Sequence, residues 1–152
     1  MNLRAAVVAG IVAAVVSTFA QAAMWIVFTE AFPAILWRDT RFAAAIVLGR
    51  GALDGAWGTA TIWIAATIVH FVLSTIYALL LSVAIRKLRI AMSLLAGGLF
   101  GAAIYLVNMH GFTALYPWFD ESRDPITFAA HLVFGVTAAL VYRRVDGGTQ
   151  PG

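Results

Sequence analysis

The sequence predicts an all-α integral membrane protein, a four-transmembrane-helix bundle, on three observations. Of its 152 residues 62% are apolar and 11% charged, where soluble domains run at about 45–50% and about 25%. The charges cluster so as to leave four uncharged windows, Ala5 to Thr29, Ala56 to Ile85, Ile90 to Phe119 and Pro125 to Tyr142; a bilayer-crossing helix needs about 20 residues and no fewer than about 17. Cysteine is absent, which removes disulfide scaffolds, thiolate metal sites and CxxC redox centres. The length fits one domain.

The expected spans cover about residues 5–28, 59–85, 90–109 and 125–142, inside a single membrane domain of residues 1–145. Asp124 followed by Pro125 reads as an N-cap and first helical position for the fourth span. Arg4, an apolar stretch and Ala20-Gln21-Ala22 have the form of a cleaved signal peptide, but apolar sequence continues through Phe28, so an uncleaved first helix is expected. Asp146 to Gly152, with glycine and proline and no apolar period, reads as a disordered cytoplasmic tail.

Orientation follows from the basic residues. Arg4, Arg86, Lys87, Arg89, Arg143 and Arg144 fall on one side, whereas the opposite loops mix Arg38, Arg41, Arg50 and Arg123 with six of the seven acids. The positive-inside rule then puts both termini in the cytoplasm. Trp25, Trp37, Trp57 and the run Tyr116 to Phe119 are placed near the outer headgroup level.

The first outer loop contains an apolar stretch from Phe42 to Gly49 between Arg41 and Arg50. It predicts an interfacial or re-entrant helix over about 39–50, with Asp39 or Thr40 as N-cap and Gly49 or Gly51 as stop. Ten such residues rise about 15 Å, too little to cross. The helix reads as a lid over the bundle or as a gate.

Lipid gives an apolar helix no hydrophobic reason to choose a partner, so interruptions of the apolar pattern mark the packed face. Each span has such a stripe: Gly10, Ala14, Ser17, Gln21 and Met24; Thr67, His70, Ser74 and Tyr77; Gly97, Gly101, Tyr105 and Asn108; Thr127, His131, Gly135 and Ala139. The second span aligns with the fourth, His70 on His131, Ser74 on Gly135 and Ala78 on Ala139. The first aligns with the third, Gly10 on Gly97, Ala14 on Gly101 and Gln21 on Asn108. This pattern suggests two parallel pseudo-repeated hairpins. Counted from the nearest cytoplasmic charge, Gln21, His70 and Tyr105 lie roughly 24–26 Å deep and His131 roughly 18 Å, a polar layer in the outer half of the membrane.

His70, His131, Gln21, Tyr105 and Asn108 are therefore the candidate intramembrane polar site, because ionisable groups in a bilayer are functional candidates by default. Three readings stay open. The histidines tie helices together through Gln21, Tyr105 or Ser74; they handle protons or a solute; or they are axial ligands of a haem. A three-histidine metal site fails because His110 lies about 13 Å above His131. No nucleophile–base pair, phosphate loop or HExxH motif is visible, so neither an enzyme nor a resident cofactor or metal is expected. The basic pI suits anionic lipid and orientation rather than nucleic acid.

The stretches Arg41 to Gly51, Val69 to Leu79, Ile104 to Asn108, Gly111 to Phe119 and His131 to Val136 resemble a family of small four-helix proteobacterial inner-membrane proteins of unknown function, some labelled "sodium:proline symporter". The resemblance covers nearly the whole chain and implies a four-helix inner-membrane protein, bringing no functional residues with it. Symporters of the inverted-repeat kind need broken helices around a midplane site, and the four spans here hold no proline in their cores. The expectation is a structural or accessory membrane component, homo-oligomeric or part of a larger membrane complex, with an oligomeric proton or small-solute transporter as the alternative and a bis-histidine haem protein behind it.

Overall fold

The computed structural model describes residues 1–147. Among these the chain is helical without a strand, and four helices are long and apolar enough to cross a membrane. Helix α1 runs Leu3–Phe28, α2 Ala34–Leu48, α3 Thr59–Ile85, α4 Ile90–Leu106 and α5 Pro125–Gly147. A π turn, Val107–Gly111, extends α4, and 3-10 turns occupy Arg50–Ala52, Phe112–Ala114 and Pro117–Ser122. One end of the bundle, the terminal end, gathers the start of α1, the end of α5 and the α3–α4 turn, where Arg143 donates to the Arg86 carbonyl at 3.1 Å. The other, the loop end, carries α2 and the segment 107–124.

Local chemistry sets the helix boundaries. Asn2 caps α1, its side chain accepting from the Ala5 amide at 3.1 Å, and Thr29 closes the helix by donating to the Trp25 carbonyl at 2.7 Å. Asp124 caps α5 as expected, with Oδ1 accepting from the Ile126 and Thr127 amides at 2.8 and 2.9 Å. These bonds satisfy donors that the first turn of a helix leaves open.

Three elements depart from the sequence expectation. Helix α2 begins at Ala34, just after Pro33, so Asp39 and Thr40 lie inside it and do not cap it. The Thr40 hydroxyl donates to the Leu36 carbonyl at 2.7 Å, a bond made from within a helix. The stop falls at Gly49, whose φ of 71° suits glycine. Helix α4 ends at Leu106, where the π turn opens the ladder and Arg123 takes the freed Met109 carbonyl at 2.6 Å. Helix α5 continues to Gly147, so Asp146 and Gly147 are helical; the rest of the expected tail, residues 148–152, lies outside the described residues. Three stripe and belt residues also turn the other way: Thr67 and His70 are exposed and Trp25 is buried.

Small residues fill the interior and large apolar ones cover the outside. Ala5, Ala6, Ala9, Ala13 and Ala14 are at most 1% exposed, whereas Phe19, Val27 and Phe28 of the same helix exceed 70%. On α3, Ile64, Ile68, Val72, Ile76, Leu80 and Val83 point outward at helical spacing, while Ala66, Ala78, Leu81 and Ile85 point in. The inverse, large apolar residues inside, is what water selects.

The helices sit side by side in the order α4, α5, α1, α3, with α2 against the loop-end half of α3. The tightest approach is α4 on α5. A methyl group added at Gly97 or Gly101 would overlap the backbone of Gly135 or His131, and one at Gly135 would overlap Gly97. Gly10 of α1 likewise rides on the backbone of Ser74 and Thr75 in α3. By contrast α3 and α4, though joined by a short turn, share little contact along their length. Helix α2 packs through Ala44 and Ala45 onto Ile62, Ala65 and Ala66, and its Phe42 carbonyl accepts from the Trp118 indole at 3.1 Å.

Gly101→Leu should destabilise the fold by about 3 kcal/mol or more, since overpacking against backbone has no rotamer escape. Leu99→Ala, on the outer face, should stay within about 0.5 kcal/mol. Thermal unfolding in mild detergent, followed by circular dichroism, measures both.

Candidate functional site

The loose α3–α4 seam leaves space at the loop end. A cavity of about 400 Å³ lies there, walled by α1, α3, α5 and the end of α4 and roofed by α2 and the 112–122 segment. That volume falls within the ~300–1,000 Å³ range of small-molecule sites. Toward the terminal end the bundle is solid, filled by Ala5, Ala9, Leu81, Ile85, Ala138 and Tyr142.

Four of the five expected site residues line the cavity: Gln21, His70, Asn108 and His131. Tyr105 does not. It is buried behind His131, with ring centroids 5.5 Å apart at 77°, and also meets Phe128 and His110 edge to face. Tyr105 therefore braces the His131 ring. His110 is exposed and away from the cavity, and among the described residues no group of three metal-ligating side chains forms.

The polar groups form three connections between helices. The first joins α3, α4 and α5: the Tyr77 hydroxyl donates to Asn108 Oδ1 at 2.6 Å, and Asn108 Nδ2 faces His131 Nε2 at 3.4 Å. His131 Nδ1 lies 2.8 Å from the Thr127 carbonyl. A carbonyl can only accept, so Nδ1 carries the proton and Nε2 accepts from Asn108. The amide orientation agrees, because it also turns Asn108 Oδ1 toward the Tyr77 donor.

The second connection joins α1 to α5. Gln21 Nε2 donates to the Thr127 hydroxyl at 3.2 Å, and that hydroxyl donates to Asp124 Oδ2 at 2.8 Å. Gln21 is thus tied to the α5 cap. In the third, on the α1–α3 side, His70 Nε2 lies 3.2 Å from the Thr18 hydroxyl and 3.5 Å from the Ala14 carbonyl.

These hydrogen-bond partners differ from those expected, which were Gln21, Tyr105 or Ser74. The π turn explains much of the difference. It follows Leu106 and carries Asn108 to the cavity wall, where it meets His131, and π turns recur at functional sites. Bis-histidine haem ligation would require breaking the His131 bond to Asn108 and turning His70 away from α1, so the geometry favours hydrogen-bonded imidazoles.

Sequence reasoning missed several contributors. Tyr77 stood in the α3 stripe without being assigned to the site, and its spacing of seven residues from His70, two turns on one face, was the available signal. Thr18 carried no such signal. Asp39 looked like a cap, yet it lines the roof. It pairs with Arg38 at 2.9 Å and accepts from the Ser122 hydroxyl at 3.1 Å, joining α2 to the last loop turn. Burial raises its pKa above the usual carboxylate value of 3.8, with the Arg38 guanidinium pulling the other way. Arg123 fastens the far side of the roof through the Met109 carbonyl, Thr113 and Asp120.

Comparison with protein-family models, curated proteins and solved structures finds no match for the chain. The functional reading therefore rests on the cavity and its residues.

Tyr77→Phe should cost about 0.6 kcal/mol and Asn108→Leu up to about 1.7 kcal/mol, the measured range for bonds between membrane helices. Since both act in one chain of bonds, the double variant should unfold close to Asn108→Leu alone and well short of the sum. Equilibrium unfolding of the three variants in mixed micelles reads this coupling.

Proposed function

We propose that this is a multi-pass protein of the bacterial inner membrane, both termini cytoplasmic, that serves as a non-catalytic accessory component binding a small molecule in its loop-end cavity. The outward display of isoleucine, leucine, valine and phenylalanine on all sides supports a lipid environment, because a patch of that extent is not carried by soluble monomers. The clustering of Arg4, Arg86, Lys87, Arg89, Arg143 and Arg144 at the terminal end supports the orientation. The resemblance to small proteobacterial inner-membrane proteins agrees with the membrane location.

One observation favours binding over conduction. From Ala5 to Ala13, about 12 Å along α1, the terminal-end core is filled by side chains that are almost wholly buried. A solute in the cavity meets that plug, and crossing it would require the α1–α5 and α1–α3 packing to separate. A homo-oligomer or a larger membrane complex supplies the partner for such a subunit.

The two-hairpin repeat is supported by matched contacts. Gly10 of α1 lies against Ser74 and Ala78 of α3, and Gly97 of α4 lies against Gly135 and Ala139 of α5. These are equivalent positions in the sequence alignment. The duplication accounts for a histidine on each of α3 and α5 beside a small residue of the neighbouring helix, Ala14 or Gly101.

Purification in mild detergent followed by native mass spectrometry should yield an oligomer or a complex with a second membrane protein, carrying a small bound molecule. Proteoliposomes of the purified protein alone should show no proton or solute flux. Flux that is abolished by His70→Phe would overturn the accessory reading and favour transport.

A further inference from the structure

Resting on the reading of the cavity as a binding site, we propose that its ligand is an uncharged, lipid-soluble ring compound bearing carbonyl oxygens, of the quinone class, which reaches the cavity from the bilayer through the seam between α3 and α4.

The charge of the lining selects against ions. Asp39 is the one carboxylate among the cavity-lining residues, no lysine or arginine lines the wall, and Arg38 stands 2.9 Å from that carboxylate. An anion would find no lining cation, and a cation would have to compete with Arg38 for Asp39. Burying an unpaired charge is costly, so a neutral ligand fits best.

The hydrogen-bonding groups select for oxygen acceptors. A primary amide nitrogen has two N–H groups. Asn108 uses one toward His131 and Gln21 uses one toward Thr127, and each retains a second on a side chain that lines the cavity. His70 makes its contacts to α1 through Nε2; because the Ala14 carbonyl can only accept, Nε2 carries the proton and Nδ1 is an acceptor, so His70 offers no donor to a carbonyl ligand. Two amide donors, from Gln21 on α1 and Asn108 at the end of α4, can hold two carbonyl oxygens at separate points of one ring. The remaining lining includes Tyr116, Phe119 and Phe134, aromatic surfaces that stack on or meet the edge of a flat ring.

Access follows from the seam. Above the Tyr77–Asn108 bond, α3 and α4 share little contact, and the cavity-lining residues Phe112 and Leu115 are 40% and 69% exposed. The cavity thus meets the outside along an apolar edge that suits a molecule arriving from lipid, its ring inside and its tail left in the seam.

The test titrates a decyl-substituted benzoquinone into the full chain in lipid nanodiscs and follows quenching of tryptophan fluorescence. Tetraphenylphosphonium and decanoate, as cationic and anionic probes, are run in parallel by competition. Saturable benzoquinone binding is expected, weakened roughly fivefold to tenfold by Asn108→Leu and again by Gln21→Leu, as loss of one hydrogen bond predicts. Leu99→Ala should leave it unchanged. Two polar variants and a melting curve for each separate lost binding from lost folding. Leu115→Lys should slow association at least about tenfold while preserving the melting temperature, and an unchanged association rate would overturn the seam route. If a charged probe binds saturably in an Asn108-dependent way and the benzoquinone does not, the ligand class is wrong and the binding site stands. If no probe binds, both readings fall.

Discussion

Gly97 and Gly101 on α4 meet Gly135 on α5 backbone to backbone, and this contact leaves no room for even one added methyl group on either side. Between apolar helices in lipid, such close approach replaces the hydrophobic effect as the source of association, because acyl chains solvate an apolar helix surface as well as neighbouring side chains do. The same device recurs where Gly10 crosses α3. Together with the alanine-lined α1–α5 seam, these contacts close three sides of the bundle.

The fourth side stays open because α3 and α4 have no equivalent contact. They reach each other through Tyr77, which bonds Asn108 and meets the Phe100 ring at 6.4 Å. The bundle is therefore asymmetric: α1 against α5 is packed by alanine, whereas α3 against α4 is bridged by long polar and aromatic groups. The cavity is the volume left by that difference. Polar side chains on its wall are connected in chains rather than left isolated, as buried polar groups must be. Helix α2 completes the enclosure, held by Asp39, Phe42 and Arg41 to the loops around it.

Much of the fold was legible in the sequence for a simple reason. In a chain with so few charges, the charges bound the four apolar windows, and the glycine and serine stripes mark inward faces; Gly97, Gly101, Gly135, Ser74 and Ala14 all turned inward as read. Boundaries set by tertiary contacts were less legible. Helix α2 starts five residues early, at Ala34 just after Pro33, and the π turn is braced by Arg123 reaching back across 14 residues to the Met109 carbonyl. The candidate site was legible to the extent that Gln21, His70, Asn108 and His131 share a cavity. Tyr105 was misassigned because depth along a helix does not say on which side of a neighbouring ring a side chain falls, and Asn108 sits in a π turn that shifts its bearing. Thr18 and Ser122 gave no warning, being small hydroxyl residues without periodic context.

A cavity at one end above a dry plug at the other is the central feature, and a cysteine scan down the inner face of α3 tests it most directly, since the natural chain has no cysteine to interfere. Single cysteines replacing His70, Leu73 and Tyr77 line the cavity, and those replacing Ala78, Leu81 and Ile85 lie in the solid core. A small neutral methanethiosulfonate reagent applied to native membranes should modify the first three readily and the last three at least about tenfold more slowly. Uniform modification of all six, or modification from the terminal end upward, would contradict the account.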